Sequence, residues 1–360
     1  MEWLWTKEKE WWDKWDLFNN STARGHYLQL SDWLFSYHIF GFETELLVGL
    51  ENNEICLGYG IIKVKYLLFK FYIINNGPII REGYESYLEE AIQFFLDKSK
   101  KDKAFYCHMC LPVLEEGTLP FALSRSSLPN NSLYFTGKMG MLYKIVFSLG
   151  GLLWVNLDYV NEEERLADFN IKTRRDIRAS QRKGLVMIEA QTNDQVEEAY
   201  HCIALNAKAK GFSVRPWKEF KQYLLDSYKK GFIIFLMAYK DNECKGAMML
   251  LKVNEKYTYV MGGYKREKPD LLAGYFLQWE ATKMLMQKGV KGYDISLGGS
   301  KGVMDFKLSF GPIAYTYVQY RYWVLSPLKH TIYSRFYPFL VKNRKIIVRL
   351  MKSASKIVKP

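Results

Sequence analysis

The sequence predicts two tandem α/β domains built on mixed sheets, and three observations carry that expectation. Strands and helices alternate along the chain, and their order recurs in the second half. The 360 residues are 49% apolar, enough for two cores of ordinary size. An irregular stretch over 114–150, rich in Pro, Ser, Asn and Gly, separates the halves. The expected division is 1–150, then 151–325, then a basic tail over 326–360.

Each element follows from local pattern. Trp3, Trp5, Trp11, Trp12 and Trp15 crowd what reads as a first helix, with Trp5, Trp12 and Trp15 toward one face. Strands follow over 41–48, 56–64 and 67–74. A helix over 84–99 places Leu88, Ala91, Ile92 and Phe95 on one side, and a strand over 104–111 comes after it. In the second half a strand over 152–157 precedes one helix over about 161–183. A strand at 186–190, helices at 194–209 and 217–229, and strands at 232–239, 246–253 and 256–262 come next. A helix over about 271–288 then leads to a strand at 291–296. This order resembles the GNAT acyltransferase pattern, whose sheet splays open to seat an acyl donor.

Composition narrows the chemistry. The net charge is +13, and residues 306–360 hold eleven Lys or Arg with no Asp or Glu, so only +2 belongs to the first 305 residues. A basic end suits phosphates, whether of tRNA, a nucleotide or an anionic membrane. Five cysteines without regular spacing argue against a disulfide framework. Cys107-His108-Met109-Cys110 is a single CxxC inside an apolar strand, so packing is expected there and no metal site. The charged start, Met1 to Lys9, has no apolar h-region, and no apolar run reaches transmembrane length. Both features point to a cytoplasmic protein with at most peripheral membrane contact.

Two segments carry candidate chemistry. In Lys172-Thr173-Arg174-Arg175-Asp176-Ile177-Arg178-Ala179-Ser180-Gln181-Arg182-Lys183-Gly184, the residues Arg174, Arg178 and Arg182 fall at i, i+4 and i+8. Such a stripe suits phosphate, which guanidinium binds bidentately, or else it pairs with Glu162, Glu163 and Glu164. Gly184 would cap the helix. The second segment, Gly298-Gly299-Ser300-Lys301-Gly302-Val303-Met304-Asp305-Phe306-Lys307-Leu308-Ser309-Phe310-Gly311, joins a glycine turn to a cation beside an aromatic ring.

Several motifs resemble, in order, those of the Fem family of peptidoglycan-bridge aminoacyltransferases. They are the basic run just quoted, Tyr27-Leu28-Gln29-Leu30-Ser31-Asp32-Trp33, Asn76-Gly77-Pro78-Ile79, Gly211-Phe212-Ser213-Val214-Arg215-Pro216, Tyr275-Phe276-Leu277-Gln278-Trp279-Glu280 and Phe306-Lys307-Leu308-Ser309-Phe310-Gly311. The resemblance implies two GNAT-like domains without the long coiled-coil insertion of some members. It implies transfer of an amino acid from charged tRNA to the stem peptide of a lipid- or nucleotide-linked cell-wall precursor. It also implies a reaction centre at Lys307 and Phe306, and a precursor contact at Arg215. Tyr37, Asn76 and Glu219 depart from the family's usual residues, all on the implied acceptor side. The compact spacing from Gly299 to Lys307 also resembles FemAB-like acyltransferases of polysaccharide gene clusters.

The chemistry expected is attack of an acceptor amine on an ester or thioester carbonyl. Lys307 would stabilise the oxyanion, and Asp294, or secondarily Asp305, would take the proton unless it serves as a structural cap. Substrate contacts are expected from Arg174, Arg175, Arg178, Arg215, Tyr275, Gly298 and Gly299. No cofactor is expected. The co-substrate would be aminoacyl-tRNA, or acyl-CoA in an alternative that acylates an amino sugar or envelope polysaccharide. The GNAT pyrophosphate loop Q/R-x-x-G-x-G/A is not recognisable, which favours the tRNA donor. A third reading, a basic membrane-docking protein on a degenerate transferase fold, predicts no turnover.

Overall fold

In a computed structural model the chain forms two units, Met1–Gly150 with the chain from Tyr317 onward, and Gly151–Thr316. The structure describes residues 1–66, 68–211, 214–265 and 267–342.

The first unit opens with strand β1 (Glu2–Thr6) and helix α1 (Lys9–Ser21). Trp3 and Trp5 therefore lie on a strand, which corrects the expectation of one Trp-rich helix. At period 2 they share a face, and their indoles donate to Glu90 and Glu45. Trp12 and Trp15 are buried on α1. A short helix α2 (Ser31–Phe35) leads to β2 (Glu43–Glu51), β3 (Glu54–Tyr66) and β4 (Phe69–Ile74). Asn52 and Asn53, both at positive φ, make the two-residue β2–β3 turn that such residues favour. Then come β5 (Ile79–Ile80), α3 (Leu88–Lys101), β6 (Tyr106–Met109), and the short β7 (Val113–Leu114), β8 (Leu123–Ser124), α4 (Leu133–Thr136) and β9 (Lys138–Met139). Of the CxxC, Cys107 packs in the core under α3, and Cys110 Sγ donates to the Leu149 carbonyl at 3.1 Å.

The second unit runs β10 (Gly151–Asn156), α5 (Glu162–Asp168), α6 (Ile171–Gln181), β11 (Val186–Glu189), α7 (Asn193–Ala209), α8 (Trp217–Lys229), β12 (Ile233–Lys240), β13 (Glu243–Val253), β14 (Lys256–Tyr264), α9 (Ala273–Gln287), β15 (Gly292–Asp294), α10 (Lys301–Leu308) and β16 (Ile313–Thr316). The single helix expected over 161–183 is two. Phe169 is extended, and Asn170 caps α6 by accepting from the Thr173 N–H. The chain then adds β17 (Arg321–Val324) and α11 (Pro327–Lys342) to the first unit, so the second unit closes at Thr316 rather than at 325. The rest of the basic tail, 343–360, lies outside the described residues.

The sheets share a plan. The first has the order β1-β2-β3-β4-β6-β17-β9, with β5 on β3, and the second has β11-β12-β13-β14-β15-β10-β16. Each has one parallel pair, β4/β6 and β14/β15, bridged by a crossover helix, α3 or α9. A crossover helix is what parallel neighbours require. In the first unit that pair holds four register positions, Phe71–Ile74 against Tyr106–Met109. The space beyond is filled by the chain itself: Asn75 donates to the Phe147 carbonyl, and the Leu149 N–H donates to Asn76 Oδ1 at 3.5 Å. In the second unit the parallel register is one pair, Thr258 with Asp294. Beyond it β14 runs on to Tyr264 while the chain after Asp294 turns away. That parting positions the site.

Helix α11 seals the far face of the first sheet. Tyr333 is buried against Phe69, Phe71, Phe105 and Tyr143, with ring centroids 4.9–5.4 Å away. Replacing Tyr333 with Ala should cost about 3–5 kcal/mol, as truncation of a buried aromatic does. Denaturant unfolding followed by tryptophan fluorescence reads this, and a cost below about 1 kcal/mol would contradict the packing described.

Candidate active site

The site forms where β14 and β15 part. After Asp294 the chain reverses through Ser296, held at φ +60°, and reaches Gly298 and Gly299 at φ +120° and +127°. Only glycine takes the last two values without strain. At Gly299 a Cβ would also stand 2.7 Å from Val303 Cγ1. The loop delivers the chain to α10, which carries Phe306 and Lys307.

Lys307 is 5% exposed. Its Nζ donates to the Ser296 carbonyl (2.8 Å), to Ser296 Oγ (2.9 Å) and to the Gly298 carbonyl (3.1 Å). An ammonium has three protons, and this loop accepts all three. Below it lies the Tyr259 ring, 5.6 Å from Nζ to the centroid. Burial lowers its pKa to about 8, partly offset by Asp294. Phe306 sits T-shaped to Tyr275 and Phe310, both with centroids 5.2 Å away.

Asp294 is buried, and its Oδ1 accepts from the N–H groups of Leu153 (3.0 Å) and Ser296 (2.8 Å). Burial raises its pKa to about 6 against those two bonds and against Lys256 and Lys307. The carboxylate thus shapes the turn that receives Lys307. Lys256, buried at the start of β14, is lowered to about 8 by burial against the pull of Asp294. Asp305, the second candidate base, is exposed on α10.

The basic helix is tied to this centre. Its inner face, Thr173, Ile177 and Ser180, is buried. Thr173 Oγ1 and Asn170 Nδ2 donate to the Ser309 carbonyl at the end of α10, at 2.9 and 3.3 Å. Arg175 and Arg178 are exposed, while Arg174 donates to the Ala167 carbonyl at 2.8 Å. Arg175 pairs with Asp176, and among the described residues no ion pair links the stripe to Glu162, Glu163 or Glu164. Gly184 takes φ +74° in the turn after α6. Burial raises the pKa of Tyr275, whose ring stands T-shaped to Phe306.

Arg215 lies apart. Its guanidinium covers the Phe220 ring at 5.3 Å, its carbonyl accepts from Tyr200, and no contact among the described residues joins it to Lys307. Phe212 and Ser213 of its motif are outside the described residues. The departing residues Tyr37 and Asn76 are buried in the first unit, and Glu219 is exposed on α8. Other matched residues serve packing. Gln29 ties Asn75 O to the Gly60 N–H, and Gln278 accepts from the buried Tyr293 hydroxyl at 2.9 Å.

Sequence reasoning missed Arg165, which is 1% exposed. It donates to the Phe310 carbonyl (2.9 Å) and to Asp168 (2.9 Å), and its guanidinium lies 4.0 Å from the Phe169 ring centroid. With Thr173 it fixes the C-terminal end of α10. In sequence it reads as a solvated partner for neighbouring glutamates. Only the Phe four residues on hinted at the stacking.

Comparison with known proteins agrees with this layout. Residues 171–308 match the family described as Acetyltransferase (GNAT) domain. No curated protein matches the sequence. Among solved structures, FemX aligns with a TM-score of 0.73 at 16% identity, over 92% of this chain and 99% of its own. The chain has the FemX-like GNAT fold. The C-terminal domain of a putative lysylphosphatidylglycerol synthetase from Agrobacterium fabrum aligns with a TM-score of 0.58 at 14% identity, over 92% and 96%. A conserved protein of unknown function from Bacteroides thetaiotaomicron aligns at 0.55 and 11%, over 86% and 95%. Phe306 and Lys307 lie on α10, a helix where the sequence showed only a glycine turn leading to a cation beside an aromatic ring.

The pKa shifts set a test. Asp294 binds its proton more tightly folded than unfolded, so its contribution to stability falls as pH rises from the ordinary 3.8 to about 6. Lys307 binds its proton less tightly when folded, so its contribution rises with pH between about 8 and 10.5. The difference in unfolding free energy between wild type and Asp294→Asn should change with pH chiefly across the first window. For Lys307→Met it should change chiefly across the second, each with a smaller change in the other window because the two charges act on one another. Differences that stay flat in both would show that neither group is perturbed.

Proposed function

We propose that the protein is an acyltransferase that moves an amino acid from aminoacyl-tRNA to the stem peptide of a lipid- or nucleotide-linked peptidoglycan precursor. The observation that carries this is Lys307, a buried ammonium held by the Ser296–Gly298 loop where the parallel strands part. The FemX-like fold and the ordered Fem-like motifs support it, as does the exposed Arg175 and Arg178 face tied to α10.

In this reading the acceptor amine attacks the ester carbonyl. A C–N bond forms, the C–O bond to the tRNA ribose breaks, and the amine proton passes by way of a base to the ribose oxygen. The positive charge of Lys307, in a water-poor setting, stabilises the developing oxyanion more than it would in water. One of its bonds, the longer one to Gly298, exchanges for the oxyanion. Asp294 holds the loop, and with its pKa near 6 it is the carboxylate suited to lend or take the proton. Phe306 and Tyr275 wall the site against water.

Transfer of label from a mixture of charged tRNAs to lipid-linked and nucleotide-linked precursors tests the reading. Wild type should transfer in an RNase-sensitive manner, and Lys307→Ala should lose about 10²–10³ in rate. Activity should also fall as pH rises through about 8, where Lys307 loses its proton. Transfer that survives RNase, or an unaffected Lys307→Ala, would overturn it.

A second reading rests on the acetyltransferase match over residues 171–308. It is an acyl-CoA-dependent N-acyltransferase acting on an amino sugar or envelope polysaccharide precursor. RNase-indifferent transfer that requires a CoA thioester selects it.

A further inference from the structure

Helix α11 has two faces. The inner one, with His330, Tyr333, Ser334 and Tyr337, packs on the first sheet and on Tyr143. The outer one presents Leu328, Ile332, Phe336 and Phe339 at spacings of four, four and three, and these are 73%, 41%, 58% and 63% exposed. An apolar stripe of that spacing runs along one side of a helix. Lone exposed apolar residues are ordinary, but a contiguous stripe marks an interaction surface.

What surrounds the stripe says what covers it. Besides Phe105, which follows Asp102 and packs on Tyr333, two other segments of the same unit reach α11. The β3–β4 hairpin brings Phe69 to Tyr333, with Leu68 at its tip 81% exposed. The loop after β9 brings the Lys144 N–H to the Tyr337 hydroxyl at 3.3 Å. Lys138 lies close enough to join burial in lowering the pKa of His330. Lys65, Lys138, Lys144 and Arg335 are all exposed. The three segments are free of carboxylates, since residues 55–81, 117–157 and 306–360 contain no Asp or Glu. A stripe of Leu, Ile and Phe flanked by Lys65, Lys138, Lys144 and Arg335 is complementary to a surface that is apolar within and anionic outside. A second copy would set one cationic frame against another.

From this we infer that the outer face of α11, with the β3–β4 tip and the loop after β9, docks the protein on an anionic phospholipid bilayer, its apolar side chains entering the acyl boundary and its lysines and arginine meeting the headgroups. Among the described residues no helix is long and apolar enough to cross a membrane. The contact is therefore peripheral, and it does not depend on the transferase reading.

The full-length protein, without substrates, is floated with phosphatidylcholine vesicles and with vesicles that also contain phosphatidylglycerol. Wild type should float only with the latter, less so as salt rises. Lys144→Glu with Arg335→Glu should lower the partition by tenfold or more, since each cation near such a surface is worth roughly fivefold. Phe336→Asp should lower it by on the order of tenfold. These side chains are exposed, so near-UV circular dichroism and Tm should match wild type. Absence of flotation, equal flotation with both vesicle types, or binding unchanged in both variants would overturn the inference. So would a concentration-dependent dimer that Phe336→Asp dissolves, which would assign the face to a second copy.

Discussion

A lysine ammonium can be buried only if oxygens replace the water it gives up. Here they all come from a single loop, two from Ser296 and one from Gly298. The rest of the site follows from that demand. Ser296 must turn its carbonyl and hydroxyl the same way, which it does at positive φ, and Asp294 holds it there through the Ser296 N–H. Asp294 can reach that N–H because it ends β15, and β15 ends there because the parallel pairing with β14 stops at Thr258. The parting of two strands and the burial of one charge are therefore a single structural solution.

Comparison of the two units sharpens this. Both sheets contain a parallel pair bridged by a helix, yet the first fills the space beyond its pair with its own segment around Phe147 and Leu149. His108, on β6 of that pair, has its pKa lowered to about 4 by burial. The second unit puts a glycine loop and a cation in the corresponding place. The same topology thus yields a neutral packed scaffold in one case and a buried charge held by a glycine loop in the other, and the difference lies in a few residues after the strands.

Much of the fold was legible because its signals are local. Apolar runs bounded by turns gave β2, β3, β12 and β13, and the 3.6-residue spacing of Leu88, Ala91, Ile92 and Phe95 gave α3. Trp3 and Trp5 misled because five tryptophans within fifteen residues suggest one element, whereas the strand pairing that claims the first two is with residues more than forty positions away. Phe169 and Asn170 broke an apparently continuous helix for the same kind of reason: Asn170 can cap α6 while also reaching Ser309, about 140 residues on. Of the site, Lys307, Phe306 and Asp294 could be singled out by residue type and neighbourhood. Arg165 and Lys256 could not, because their burial is decided by distant partners and their local sequence reads as solvated charge.

The arginine helix shows how one segment meets two demands. Its inner residues have no choice of position: Thr173 closes on Ser309, and Ile177 packs in the core that also holds Phe310. Its outer arginines are thereby fixed relative to α10, whose C-terminal end Arg165 clamps as well. A polyanion bound on Arg175 and Arg178 would lie on a surface connected to Lys307 by two hydrogen bonds and one short helix. Holding a large substrate at a set distance from the reacting atoms converts binding energy into orientation. A helix joined so directly to α10 is a stiffer ruler than a loop would be. That is a physical reason for the densest basic run to sit on α6 rather than at the basic C-terminal end, where the charge count alone would have put it.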